Sequence, residues 1–292
     1  MVISQLPESV DGALFVYCLP MIFDLHSHTT LSDGLLTPGE LIARAIEKQV
    51  DVLAITDHDT TDAYQKLPDG SDQIRLIPGI EFSTQWEGKG IHILGLNIEL
   101  DCDALKTGVR FQTDARLERA VQIGEKLKTK GIEDAFEGAS KLSIGGYIGR
   151  PHFARHLVNI GRAKSMQSAF KNFMGDGKVG DVRQHWAELN QIVQWIRDSN
   201  GIAVLAHPLK YKLSRTKLKR LLASFMEVGG QGIEVVSGQQ QPQQTKDMAE
   251  LCEQMNLLAS CGSDFHGPDK RWAELGAFAS LPANVLPVWD RF

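Results

Sequence analysis

The chain has 292 residues, 42% hydrophobic and 23% charged, with a formal net charge of -5 at pH 7. That length can bury a large core, and the composition excludes a disordered or fibrous protein. The acidic balance excludes a generic nucleic-acid coat, which needs a broad basic surface, but leaves room for an enzyme that grips one end of a nucleic acid.

The four cysteines, Cys18, Cys102, Cys252 and Cys261, are far apart and form no C-x-x-C pair. They read as reduced, mostly buried thiols of a cytoplasmic protein, with no cysteine zinc site. The uncharged stretch GALFVYCLPMIF (12–23) is too short to span a bilayer, and no basic start precedes it, since the first Lys or Arg is Arg44. Met21 sits directly before the first strand pattern, so residues 1–20 are read either as an upstream start-codon artefact, not native to the protein, or as a loose N-terminal extension.

From Met21 short apolar runs alternate with amphipathic ones. MIFDLH (21–26) predicts a strand, and TPGELIARAIEKQV (37–50) a helix with Thr37 as N-cap and Pro38 at its first position. DVLAIT, IRLIPGIEFS and IHILGLNI predict three more strands, the second of them continuing past a Pro-Gly break. Between about 102 and 187 the alternation stops. TGVRFQTDARLERAVQIGEKLKTKG, RPHFARHLVNIG and MQSAFKNFMG have helical spacing and predict a helical insertion over one end of the sheet, acting as a substrate cap. IAVLAH, GIEVVS and NLLASCGSD then predict strands between helices at 188–199, 214–227 and 243–255, and GQQQPQQ (238–244) a polar loop. Strand–helix alternation over 21–101 and 188–292 implies a parallel sheet, either closed into a barrel or open and doubly wound.

The unusual polar residues fall at the carboxyl ends of these strands, where parallel α/β folds carry their sites. His26 and His28 end the first strand on one face, with Asp33 in the following loop. His58 sits in TDHD, Glu81 in PGIEFS, His92 at the start of IHILGL, His207 in LAHP, and Asp264 and His266 in CGSDFH. Six imidazoles and three carboxylates without thiolate suit Zn, Mn or Fe, and they are too many for one ion with an open position. Affinity order alone does not choose among these divalent metals. Three such ions would leave the pocket cationic and attract an anionic substrate such as a phosphate. Metal-assisted phosphoester hydrolysis is the chemistry implied.

DLHSHTTLSDG, TDHD, PGIEFS, IHILGL, AHP and GSDFH, in this order from Met21 to about Gly276, resemble the PHP (polymerase and histidinol phosphatase) superfamily. The resemblance implies an α/β fold, an irregular (β/α)7 barrel, with a trinuclear site. It assigns His26, His28, Glu81 and Asp264 to a first metal, Asp33, His58 and His266 to a second, and Glu81 again with His92 and His207 to a third.

GRPHFARHL (149–157) places Arg150, His152 and Arg155 near a helix start, a setting suited to phosphate. The motif is similar to one in a PHP subgroup of 3',5'-nucleoside bisphosphate phosphatases and 5'-to-3' exoribonucleases. That similarity implies Arg150 and His152 as phosphate ligands or proton donors, with Arg155 as a further phosphate ligand. The substrate expected is a nucleoside 3',5'-bisphosphate such as adenosine 3',5'-bisphosphate (pAp), or the 5'-phosphorylated end of RNA. No membrane and no obligate protein partner are expected.

KYKLSRTKLKR (210–220) is either a solvated helix face or a cationic guide to the metals. Trp86, Phe153 and Trp186 are core residues or base-stacking platforms, while Tyr147 and His185 carry no decisive signal. The competing readings are a PHP phosphatase for histidinol phosphate or another small phosphomonoester, a metal-dependent amidohydrolase, and a non-enzymatic nucleotide sensor.

Overall fold

The computed structural model describes residues 21–68, 71–182, 186–269 and 271–292. The expected extension 1–20, with Cys18, and His185 lie outside the described residues. Seven strands form one sheet in sequence order: β1 (Phe23–Asp24), β2 (Val52–Ile55), β3 (Arg75–Trp86), β4 (Lys89–Leu96), β5 (Ile202–Leu205), β6 (Gly232–Ser237) and β7 (Leu258–Gly262). The sheet curls until its edges meet. The Leu25 N–H donates to the Cys261 carbonyl (3.1 Å), and the His28 N–H to the Phe265 carbonyl (2.9 Å). β1 is shorter than MIFDLH predicts, because beyond Asp24 only Ser27 regains a bridge, to Phe265.

One strand departs from the expected parallel order. β4 runs antiparallel to both β3 and β5. Trp86 pairs with Lys89 across Glu87 and Gly88, whose φ values of 48° and 75° make the two-residue turn of a tight hairpin. The reversal explains why His92 stands at the start of its strand and yet shares an end of the barrel with residues that finish theirs.

Side-chain alternation sorts each strand into an inner and an outer stripe. Leu25, Val52, Ala54, Ile77, Leu94, Leu96, Ile202 and Val204 form the apolar filling inside, closed below by Val288 and by Trp289, which stacks on Phe23 at 3.9 Å. The outer stripes pack on helices α1 (Pro38–Glu47), α6 (Leu189–Asp198), α7 (Arg215–Glu227) and α8 (Pro242–Gln254). α1 carries the cap read from sequence. Thr37 Oγ1 accepts from the Glu40 N–H, and Glu40 returns the bond to the Thr37 N–H. α8 starts at Pro242, so only the first part of GQQQPQQ is loop.

Between β4 and β5 the chain builds α2 (Asp103–Lys128), α3 (Ala135–Lys141), α4 (Arg150–Asn159) and α5 (Met166–Ala169), the last continuing as a π-turn over Phe170–Met174. These helices bury a separate core of Ile123, Leu127, Ile148, Phe153, Leu157 and Met174. Phe153 is fully buried in it and is no platform for a base. α3 was not signalled by the sequence pattern, being short and rich in Ala and Gly.

Candidate metal centre

The inner stripes change chemistry toward one end of the barrel. Above Ile77 and Gly79 on β3 stands Glu81. Above Leu96 and Leu94 on β4 stands His92, and above Val52 and Ala54 come Thr56 and His58. At the ends of β5 and β7 the backbone itself turns the side chains. His207 has φ 28° and Asp264 φ 55°, and Asp59 beside His58 has φ 55°. Left-handed backbone at a non-glycine residue costs of order 1–3 kcal/mol, and here it recurs at strand ends around one point. Two glycines make the approach of the chains feasible. A Cβ on Gly262 would lie 2.4 Å from the Cβ of His26, and one on Gly34 would lie 2.4 Å from the His28 carbonyl oxygen.

All nine residues expected from the motifs meet at this end. His26 Nε2 and His28 Nε2 are 3.1 Å apart. Glu81 Oε2 lies 3.3 Å from the former and 3.2 Å from the latter, and Asp264 Oδ1 lies 3.5 Å and 3.4 Å away. Ligands at ~2.1 Å around a tetrahedral ion stand ~3.4 Å from one another, so these four atoms are spaced for a common cation. Asp33 Oδ1 is 3.3 Å from His266 Nε2 and 3.9 Å from His58 Nε2. The other Glu81 oxygen, Oε1, lies 2.9 Å from both His92 Nδ1 and His207 Nε2. Glu81 thus faces two groups of imidazoles with two different oxygens.

Buried polar atoms normally find hydrogen-bond partners. Here Asp33 Oδ1, His58 Nδ1, Glu81 Oε2 and His207 Nδ1 are buried without one. His58 Nδ1 is only 3.0 Å from Glu81 Oε2, so proximity is present and hydrogen-bond alignment is not. That combination fits a site built for cations. Burial lowers His58 to about 4 and His207 to about 3, in the second case helped by Lys210. Both are neutral imidazoles near pH 7, the form that coordinates metal. Burial would push the Asp33 and Glu81 carboxyls up, but the surrounding imidazoles override it and hold both well below the ordinary range. The cluster therefore has the composition and spacing to hold divalent metal ions.

Several supporting residues escaped the motif reading. Glu234, buried on β6, holds His26 Nδ1 at 2.9 Å and accepts from the His207 N–H at 2.5 Å. It steadies two ring positions at once, and its only sequence signal was a lone carboxylate inside GIEVVS. Burial pushes the His26 imidazole down, but Glu234 and Glu81 win and raise it to about 10. Asp57 accepts from the Thr29 N–H (2.7 Å), Thr29 Oγ1 (2.5 Å) and Ser32 Oγ (2.5 Å), pinning the loop that carries Asp33. Asp24 ties β1 to the segment after β7 by accepting from the Ser263 and Gly276 N–H groups at 2.8 and 3.0 Å.

The helical segment leans on the same end. Arg116 of α2 is buried and donates to Asp59 Oδ2 (2.7 Å, from Nε) and Ser83 Oγ (2.7 Å), with its guanidinium 4.2 Å from the Tyr147 ring centre. Trp186 takes Arg116 and Arg119 against its ring at 5.0 and 5.6 Å. Burial lowers Arg119 to about 10, and the neighbouring Arg150 and Arg116 charges add to the effect. A cavity of about 200 Å³ is walled by these three arginines, Tyr147 and Trp186 on one side and by Asp33, His58 and His92 on the other. Three guanidiniums crowded there favour an anion beside the cluster.

Of the residues singled out in GRPHFARHL, Arg150 lines this cavity. His152 is buried beside Tyr147, with ring centres 5.8 Å apart, and its Nδ1 accepts from the Gly149 N–H at 3.2 Å. Burial lowers its pKa. Arg155 lies further along α4 and walls neither this cavity nor the neighbouring one that Arg150 also lines. Of the basic run 210–220, Lys210 reaches the cluster and pairs with Asp264. Arg220 instead pairs with Glu87 and covers Trp86 at 5.7 Å, which removes Trp86 as a stacking platform.

No helix among the described residues is long and apolar enough to cross a membrane. Residues 24–201 match the PHP domain family. The chain is 46% identical over 274 residues to the 5'-3' exoribonuclease Rnm of Escherichia coli (strain K12), covering 92% of this chain and 93% of the relative. It is 39% identical over 269 residues to the 3',5'-nucleoside bisphosphate phosphatase of Chromobacterium violaceum, covering 91% and 94%. A solved structure described as an amidohydrolase from Chromobacterium violaceum, with bound sulfate and no metal, superposes with a TM-score of 0.86 at 39% identity over 92% of this chain and 95% of that one. With a nearly closed seven-stranded sheet, the ordered motifs and relatives matched along nearly their full length, the chain belongs to the PHP domain family.

Proposed function

We propose that this protein is a cytoplasmic, metal-dependent phosphoesterase that removes the 3'-phosphate of nucleoside 3',5'-bisphosphates, pAp to AMP, and trims 5'-monophosphorylated RNA in the 5'-to-3' direction. The observation that carries the reading is the shared cavity, in which a wall of three arginines faces the imidazole–carboxylate cluster. A substrate with two phosphates has one for each wall. The relatives with near-full coverage carry the names of these two activities.

His26, His28, Glu81 and Asp264 would hold a first ion, Asp33, His58 and His266 a second, and His92 and His207 a third shared through Glu81, with manganese the first choice and zinc or iron the alternatives. Bound there, divalent ions supply an activated water and stabilise the charge that develops on the transferred phosphoryl group. The protein's own groups do the rest. Arg150 and Arg119 hold the 5'-phosphate by charge-assisted hydrogen bonds, and Arg116, tied to Asp59, fixes the distance between that wall and the cluster. His152, held by Gly149 with Nδ1 as acceptor, keeps its proton on Nε2 and would offer that N–H as a hydrogen bond to the phosphate, while the departing 3' oxygen takes its proton from water. Arg155 contributes only long-range charge. The helices at 102–187 act as a cap that excludes water.

The test is metal reconstitution followed by phosphate release from pAp, with His58→Ala beside wild type. Stoichiometric uptake of Mn²⁺ with turnover, both reduced in the variant, is the expected outcome. Turnover of pAp after exhaustive chelation, or in His58→Ala at the wild-type rate, would overturn the reading.

A further inference from the structure

A second cavity borders the cluster, and hydrolysis of a mononucleotide leaves it unused. It measures about 300 Å³, lies among the segments that follow β5, β6 and β7, and reaches Asp264 from a wall that includes Lys210, Ser237, Gln244 and Trp272. The arginine-walled cavity reaches Asp33, His58 and His92 instead. A third cavity of about 470 Å³ shares Arg119, Arg150 and Trp186 with the latter and Lys210 with the former. The three are neighbours, linked through these shared wall residues.

The second cavity combines apolar wall surface with buried polar groups. The Ser237 hydroxyl, which walls it, is buried without a hydrogen-bond partner. Unsatisfied buried groups are costly, and a ligand with donors and acceptors would relieve them. Trp272 stands at the rim with 63% of its surface exposed. Its carbonyl accepts from the Gln239 N–H at 2.9 Å, while the Gln240 amide donates to the Val235 carbonyl (2.7 Å) and Thr245 Oγ1 (2.9 Å). The glutamine-rich stretch 238–244 thus clamps a loop in place and presents an indole to solvent.

We propose that this cavity receives the second nucleotide of a 5'-phosphorylated RNA, with Trp272 stacked on its base; the inference rests on the phosphoesterase reading above. Both reactions of that reading share one step. The oxygen of water bonds to the phosphorus, the bond from phosphorus to the 3' oxygen of the first nucleotide breaks, and that oxygen takes a proton. With pAp the phosphoryl group carries nothing further and leaves as inorganic phosphate. With RNA its remaining ester oxygen carries the next nucleoside, which projects to the side of the line of attack and needs room beside the cluster. The second cavity supplies that room on the Asp264 side, and Lys210 walls both it and the third cavity, which Arg119 and Arg150 also line. The shortened chain keeps the phosphoryl group as a new 5'-phosphate, ready for the arginine wall.

The experiment compares kcat/KM on pAp and on the 5'-phosphorylated dinucleotide pApA for the metal-loaded wild type, Trp272→Ala and Gln244→Glu. Loss of a base–aromatic stack is worth about tenfold. The expected result is that Trp272→Ala falls about tenfold on pApA, largely in KM, and stays within twofold on pAp, with Gln244→Glu following the same pattern through repulsion of the RNA backbone. The unchanged pAp rate reports that each variant is folded. Equal losses on both substrates, or full activity of both variants on pApA, would overturn the subsite. Wild-type cleavage of pApA without any turnover of pAp would count against the bisphosphate reading while the dinucleotide comparison still decides the subsite, and failure on both substrates would reject both.

Discussion

The two ends of the barrel are built from the same strands and do opposite things. At one end Leu25, Val52, Ile77, Leu96 and Ile202 fill the interior and Trp289 stacks on Phe23 as a plug. At the other the same inner stripes present His58, Glu81, His92 and the rest of a cluster with orphaned polar atoms and left-handed backbone. Aliphatic packing below releases free energy on burial of apolar surface, and it supports an end where burial of charge and strain cost free energy. Stability and chemistry are therefore separated along the barrel axis, and substitutions at the two ends should fail in different ways.

The largest effect should come from Glu81→Gln, because one carboxylate faces five imidazoles through two oxygens. Turnover of pAp should fall by about a thousandfold or more, and elemental analysis should find bound metal reduced with the fold intact by circular dichroism. Glu234→Gln should follow. It touches no substrate but orients His26 and His207, and loss of such a partner costs about 10- to 100-fold in metal affinity or activity, read by metal titration. Trp289→Ala at the opposite end should leave kcat on pAp unchanged and lower stability by about 2 kcal/mol, since the ring is only partly buried and a full core loss is about 3–5 kcal/mol. A matching loss of kcat would break the division between the ends. Arg150→Ala should cut kcat/KM for pAp about tenfold, the worth of one charge-assisted hydrogen bond, and leave 3'-AMP within about twofold.

The smallest effect concerns Glu274, which pairs with Arg44 at a partly exposed position. Burial raises its carboxyl, but the Arg44 hydrogen bonds and charge prevail and lower it. A carboxylate lowered in the folded state adds stability above its unfolded value of about 4.3, and that share is lost as pH falls through the folded value. Arg44→Ala should therefore be less stable than wild type at pH 7 by under about 1 kcal/mol, with the gap closing below pH 4 in urea titrations.

Legibility in sequence followed the same geography. The cluster was readable because each of its residues sits in a short motif at a strand end, where side-chain direction is set by local backbone. His26 and His28 needed only alternation, and Thr37 with Glu40 capped α1 as written. The antiparallel turn of β4 was not read, because a two-residue turn at Glu87–Gly88 looks like any polar break. The arginine wall was half read. Arg150 stood out beside a helix start, whereas Arg116 and Arg119 lie in a long, charge-rich helix where nothing distinguishes a buried guanidinium from a solvated one. Phe153 and Trp86 were open between core and platform, and only tertiary packing settled them. Glu234 and Ser237 depend on which strand lies beside β5 and β7, information that no local window contains.

The most direct measurement is the ratio of kcat/KM for pAp to that for 3'-AMP, with histidinol phosphate run in parallel on the same Mn²⁺-loaded protein. Two arginines on the second phosphate predict a ratio of about 100 and negligible turnover of histidinol phosphate. A ratio near one, or faster hydrolysis of histidinol phosphate, would contradict the account and leave the arginine wall without a role in substrate choice.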